Sequence, residues 1–190
     1  MADWTASKDS FMRPYRSPHG APYLKYFEAS TVASTATGIR VGDIVQFDTA
    51  VSSASHRIVV AQSTGGNDAN LLGINGDALV GIAAESDASA GSTVGLGPTR
   101  KIGVFVFDAE TEFVGYTRWS GPVTSTMIGE ARAIIHDSTL RIWQVDSTNS
   151  TAALVTCIIT DVPDQFIGDT GAPVVFKISP SSLVNIAVRG

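Results

Sequence analysis

The sequence predicts an all-β protein, a β-barrel or β-sandwich of about eight to ten strands preceded by an extended N-terminal arm. Three observations predict it. Runs of β-branched and aromatic residues recur along the chain, such as Val80, Ile82, Ile102, Val104, Phe105 and Val106. Clusters of Gly, Ser, Asp and Pro separate these runs at short intervals. No stretch of ten or more residues carries helical periodicity. The densest region is Leu79 to Phe113. It reads as a strand, a small-residue turn, a short strand at Ser92–Gly97, a loop, and one long strand from Lys101 to Phe113.

Composition narrows the class. The chain has 190 residues, enough for one domain or one domain with an extension. Its 44% apolar content supports a real core, while its 16% charged content lies below the roughly 25% of soluble domains. A surface rich in Ser, Thr, Ala and Gly is often covered by partners; the plainer reading is a neutral β-protein. The single cysteine, Cys157, excludes an intrachain disulfide and reads as a small buried hydrophobe. Met1-Ala2-Asp3-Trp4 lacks the basic and apolar regions of a signal peptide, and no apolar run reaches the roughly 18 residues of a membrane span. The expectation is a chain made in a cytoplasm, with no membrane partner.

Residues 1–27 carry four basic and two acidic groups, a net +2. Residues 28–190 carry nine basic and sixteen acidic groups, a net −7. An acidic body argues against nucleic acid, which needs a basic face to displace phosphate counterions.

Taken in order, residues 1–27 form the expected arm and residues 28–190 a single β domain. Pro14, Pro18 and Pro22 remove ladder donors and keep the residues before them extended. Trp4, Phe11, Tyr15 and Tyr23 are widely spaced along the arm. Together with Arg13 and Arg16 they are the residue types that anchor a segment on another protein surface. The other reading is an arm that covers the edge of its own sheet.

Leu24–Glu28 reads as the first strand and Ser30–Gly38 as a loop. Gly42-Asp43 makes a turn into a strand at Ile44–Phe47. His56–Ala61 follows, with Ile58 and Val60 on one face and Arg57 and Val59 on the other. Gln62–Asp77 is a long connection. Ala133–His136 and Leu140–Val145 bracket Asp137-Ser138-Thr139 as a hairpin. Leu154–Thr160, Val174–Ile178 and Leu183–Val188 complete the strands. Val80, Ile82, Val104, Val106 and Ile158 are the expected core.

No catalytic, cofactor or metal site is expected. Asp108, Glu110 and Glu112 would share one face of the long strand, where three carboxylates could hold a cation or act as acid and base. The plainer reading is a solvated strand face. His19, His56 and His136 show no zinc-ligand spacing, and Gly-x-Ser-x-Gly is absent. Gly95-Leu96-Gly97-Pro98 has neither the lysine nor the helix of a phosphate loop and reads as a turn. Ile167-Gly168-Asp169-Thr170-Gly171-Ala172 resembles an aspartic-protease loop, but those enzymes need two such aspartates. It reads as a turn joining Phe166 to Val174.

Four stretches carry a wider resemblance: Val41-Gly42-Asp43-Ile44-Val45; Leu79-Val80-Gly81-Ile82-Ala83; Ala88-Ser89-Ala90-Gly91-Ser92-Thr93-Val94; and Lys101-Ile102-Gly103-Val104-Phe105. In this order they resemble the capsid decoration, or cement, proteins of tailed bacteriophages, over roughly residues 38 to 110. The resemblance implies a non-enzymatic β-rich virion protein on the outer capsid surface. Its partners would be the major capsid protein and itself, as a homotrimer, and its role capsid stabilisation. The arm residues Trp4, Phe11, Arg13, Tyr15, Arg16 and Tyr23 would then be partner-binding. A receptor- or glycan-binding β-module of a phage tail or fibre is the second reading, and an enzyme the third.

Overall fold

Leu79–Ala83 is buried at every position, and the fold is arranged to cover both of its faces. A computed structural model describes residues 12–18, 20–29, 39–47, 57–60, 79–86, 101–118, 121–137, 140, 142–148, 157–180 and 183. They include β1 (Arg13–Arg16), β2 (Leu24–Ala29), β3 (Ile44–Phe47), β4 (Arg57–Val60), β5 (Leu79–Ala83) and β6 (Lys101–Val106). Then come β7 (Glu112–Tyr116), β8 (Ala131–Arg132), β9 (Ile134–Asp137), β10 (Ile142–Val145), β11 (Cys157–Asp161) and β12 (Pro173–Ile178). Two 3-10 turns, Ser125–Met127 and Asp164–Phe166, complete the regular elements. The protein is all-β, as its sequence predicts, and among the described residues no helix is long and apolar enough to cross a membrane.

The strands form a closed barrel, β2-β4-β3-β5-β6, and a five-stranded antiparallel sheet, β1-β7-β12-β11-β8, with β9 and β10 as a hairpin. The barrel closes through β2, parallel to β4 on one side and antiparallel to β6 on the other. Its interior is lined by Phe27, Val45, Ile58, Val80, Ile102, Val104 and Val106 among others. A second core joins Ile44, Leu79 and Ile82 of the barrel to Phe113, Trp143, Ile159 and Phe176 of the sheet side.

A bulge in β5 lets one strand serve both cores. Gly81 lies opposite Val45 and Leu79 opposite Gln46, so Val80 is an extra residue in the ladder. Strict alternation would put Val80 and Ile82 on one face. The extra residue instead turns Val80 and Ala83 into the barrel and Leu79 and Ile82 toward the sheet. Gly81 sits close against β6. A Cβ there would lie 2.0 Å from the Phe105 carbonyl oxygen.

Several sequence expectations hold. Ile44–Phe47 is a strand, entered through a turn with Gly42 at φ +85°, and Asp43 closes that turn by accepting the Arg40 N–H at 2.8 Å. The β9–β10 hairpin pairs Ile142 with Asp137 and Val145 with Ile134. Val80, Ile82, Val104 and Val106 are buried.

Others are corrected. Ile158 is half-buried, because alternation along β11 turns Cys157 and Ile159 inward instead. Lys101–Phe113 is not one strand but β6 and β7, which belong to different sheets. That break, with β1 and β8, raises the strand number above the expected eight to ten. The arm boundary at residue 27 falls inside β2, and β1 is a member of the five-stranded sheet. The expected strand at Ser92–Gly97, the turn at Gly95–Pro98, the connection at Gln62–Asp77, and all of Leu183–Val188 except Leu183 lie outside the described residues.

Candidate partner-binding surface

One buried side chain, one strand pairing and one turn place the expected anchor residues. Met12, just before β1, is fully buried in the second core. It sits over Gly115 of β7, where a Cβ would meet the Met12 Cγ and the Phe176 Cε1, both at 3.1 Å. With Met12 seated, β1 pairs antiparallel to β7 as the edge of the sheet, with a register shift between Pro14 and Arg16. An edge strand tolerates Pro14 because no neighbour on its outer side needs the missing donor.

The side chains of β1 face out. Arg13, Tyr15 and Arg16 are exposed. The Arg16 Nε donates to Glu112 Oε2 at 2.5 Å, and its guanidinium lies 5.2 Å from the Tyr15 ring centre. Arg16 is 60% exposed, so this pair adds at most about 1 kcal/mol and mainly orients the side chain.

The chain then turns at Gly20 (φ +86°), whose N–H donates to the Ser17 carbonyl at 3.2 Å. It joins the barrel when the Tyr23 carbonyl accepts the Val106 N–H at 2.9 Å. Along β2, alternation buries Phe27 and Ala29 and leaves Leu24 and Tyr26 outside. Lys25 lies 5.4 Å over the Phe27 ring. Leu24 and Tyr26 flank Gly103 on the outer barrel wall: a Cβ on Gly103 would lie 3.5 Å from each. Tyr23 and Tyr26 are 61% and 53% exposed. Two exposed groups result, Arg13, Tyr15 and Arg16 on the sheet edge and Leu24 and Tyr26 on the barrel wall, with Tyr23 exposed just before β2.

Of the six expected anchors, Arg13, Tyr15, Arg16 and Tyr23 are exposed on this surface, while Trp4 and Phe11 lie outside the described residues. From Met12 to β2 the arm is held by strand pairing and a buried side chain. Sequence reasoning missed Met12, Leu24 and Tyr26. For the last two a signal existed: Leu24-Lys25-Tyr26-Phe27 cannot bury all its apolar groups on one face of a strand.

The carboxylate trio is not a site. Asp108 Oδ1 accepts the N–H groups of Glu110 and Thr111 at 2.7 and 2.5 Å, and Oδ2 accepts the Thr111 hydroxyl at 2.6 Å. This turn ends the barrel strand, so Glu112 lies on β7 and the three do not share one strand face. Among the described residues no three His, Cys, Asp or Glu side chains are grouped to hold a metal ion. His136 lies against the Trp143 ring, centres 4.9 Å apart. The stretch joining Phe166 to Val174 turns at Ile167 and Gly168, as expected, and Thr170 is bridged to Pro122.

Comparison with protein-family models, curated proteins and solved structures finds no match.

Proposed function

We propose that this chain is a capsid decoration protein of a tailed bacteriophage, docking on the outer surface of the assembled shell as a homotrimer and holding neighbouring major capsid subunits together. The observation that carries the reading is the exposed pair Leu24 and Tyr26 on one face of a barrel strand whose opposite face buries Phe27 and Ala29, with exposed Tyr23 just before it. Rigid tyrosines bury large area at low entropy cost, and a closed barrel holds them in place before contact. Low surface charge suits a face that is covered in the assembly. Each copy needs little affinity, because many copies act together on a symmetric shell. The acidic body disfavours nucleic acid as the partner.

The test is co-sedimentation with shells stripped of this protein. Tyr23→Ser with Tyr26→Ser removes two exposed rings and leaves the barrel core intact. Shell binding should weaken at least about tenfold, or 1.4 kcal/mol. Unchanged binding by the folded double variant would remove the assigned docking face.

A further inference from the structure

Two short segments of the sheet side are built alike. Val123 to Glu130 and Val162 to Asp169 share the pattern Val-x-x-x-(Met/Phe)-Ile-Gly-(Glu/Asp). In each, a buried valine leads into a 3-10 turn. Met127 and Phe166 then pack on the second core. The isoleucine that follows is exposed, Ile128 at 48% and Ile167 at 43%. A positive-φ glycine closes each turn, Gly129 at +86° and Gly168 at +93°.

Both turns are pinned to neighbouring backbone. The Gly129 N–H donates to the Ile159 carbonyl and the Gly168 N–H to the Val123 carbonyl, each at 2.8 Å. Two apolar tips are therefore held out rigidly, where a surface turn usually carries polar residues. Their surroundings are acidic. Residues 121–132 and 159–172 contain Glu130, Asp161, Asp164 and Asp169 against Arg132 alone, and the Arg132 side chain is largely buried beside Glu130.

The β1 edge has the opposite character. It presents Arg13, Tyr15 and Arg16 and no acidic residue of its own. In the sheet order β1-β7-β12-β11-β8 it is one edge, while the first turn leads directly into β8, the other edge. At about 4.8 Å per strand, these edges lie about 19 Å apart. Arg13 on the β1 edge and Asp164 in the turn between β11 and β12 each make no ion pair among the described residues.

We propose that copies of this chain associate head to tail, the Ile128 and Ile167 turns of one copy seating against Arg13, Tyr15 and Arg16 of the next. The charges are complementary and Tyr15 offers the isoleucines an apolar partner. A two-fold contact of either patch with itself would set like charges together, so the interface is heterologous and closes as a ring or runs on as a chain. Backbone pairing between copies is disfavoured at β1 by Pro14, the register shift and the arginines. The inference rests on the self-association part of the reading above and leaves the barrel face free for the shell.

The experiment is native mass spectrometry of full-length protein without shells, at rising concentration. One variant carries Arg13→Glu and Tyr15→Ala; the other carries Ile128→Ser and Ile167→Ser. All four positions are exposed, and thermal unfolding checks that both variants fold. Wild-type protein should form oligomers and each variant alone should remain at the 19.9 kDa of one chain. An equimolar mixture should form one-to-one heterodimers that grow no further, since one intact contact remains per pair. As a second readout, Arg13→Glu mixed with Asp164→Arg should recover association lost by either alone. Monomeric wild type at every concentration, or a mixture that gives no heterodimer, would overturn the proposal. Loss of shell binding with self-association intact would bear on the capsid reading instead.

Discussion

Met12 and Gly115 form a lock: the methionine side chain fills the space that a Cβ on Gly115 would need, 3.1 Å from its Cγ. The lock joins the start of the described chain to β7, the strand beside the β1 edge of the five-stranded sheet. It explains why a segment with three prolines and a net positive charge lies along its own sheet. Met12→Ala should cost about 2–5 kcal/mol, the range for truncating a buried methionine, read as a lower urea midpoint. Hydrogen exchange at Tyr15 and Arg16 should rise more than in the barrel. Equal loosening of both cores would show that Met12 is not a local fastening.

Gly81 of β5 and Gly103 of β6 differ in their tolerance of a side chain. A Cβ on Gly81 would come 2.0 Å from the Phe105 carbonyl oxygen, whereas one on Gly103 meets side-chain atoms at 3.4 Å or more. Gly81→Ala should therefore force β5 and β6 apart and cost at least the upper end of the roughly 1–3 kcal/mol seen for overpacking. Gly103→Ala should be neutral or stabilising by up to about 1 kcal/mol, because alanine loses less chain entropy on folding. Thermal unfolding of the two variants side by side checks the contrast.

Much of the barrel was legible in the sequence. Ile44–Phe47, Arg57–Val60 and Leu79–Ala83 are short β-branched runs bounded by turn residues, and each is a strand. The break at Asp108 was not legible by periodicity, because Lys101 to Phe113 stays strand-like in composition. What divides it is one side chain accepting three hydrogen bonds. The Val80 bulge was likewise hidden, since a ladder insertion depends on the partner strand. At the candidate surface, Tyr15 and Tyr23 were visible as exposed aromatics, but Met12 was not visible as core. Its burial depends on Gly115, more than a hundred residues away.

Asp108 should be structural. Asp108→Ala leaves the Thr111 N–H and hydroxyl without their acceptor at a residue that is 1% exposed. The expected loss is about 1–3 kcal/mol, with Asp108→Asn milder because its carbonyl still accepts. Magnesium or calcium should not shift the melting temperature through this turn. A calcium-dependent rise abolished by Asp108→Asn would restore the cation reading.

Cys157 should be inert in the folded protein. Burial pushes its thiol well above the usual range, against a smaller opposing effect from the Arg132 charge, and the Sγ donates to the Arg132 carbonyl at 3.4 Å. The folded pKa lies above the unfolded value of about 8.5, so folding favours the neutral thiol. That contribution is complete below about pH 8.5 and is lost as pH rises above it. A thiol reagent at pH 8 should label Cys157 at the rate of unfolding. Rapid labelling of native protein would place the thiol at the surface.

The most direct test of the central proposal is the number of copies on purified phage particles, measured by quantitative mass spectrometry against the major capsid protein. A capsid decoration protein should be present in a fixed lattice ratio to the major capsid protein, with copies spread over the whole shell. Recovery of a handful of copies per particle would contradict that reading and place the chain on a tail or fibre.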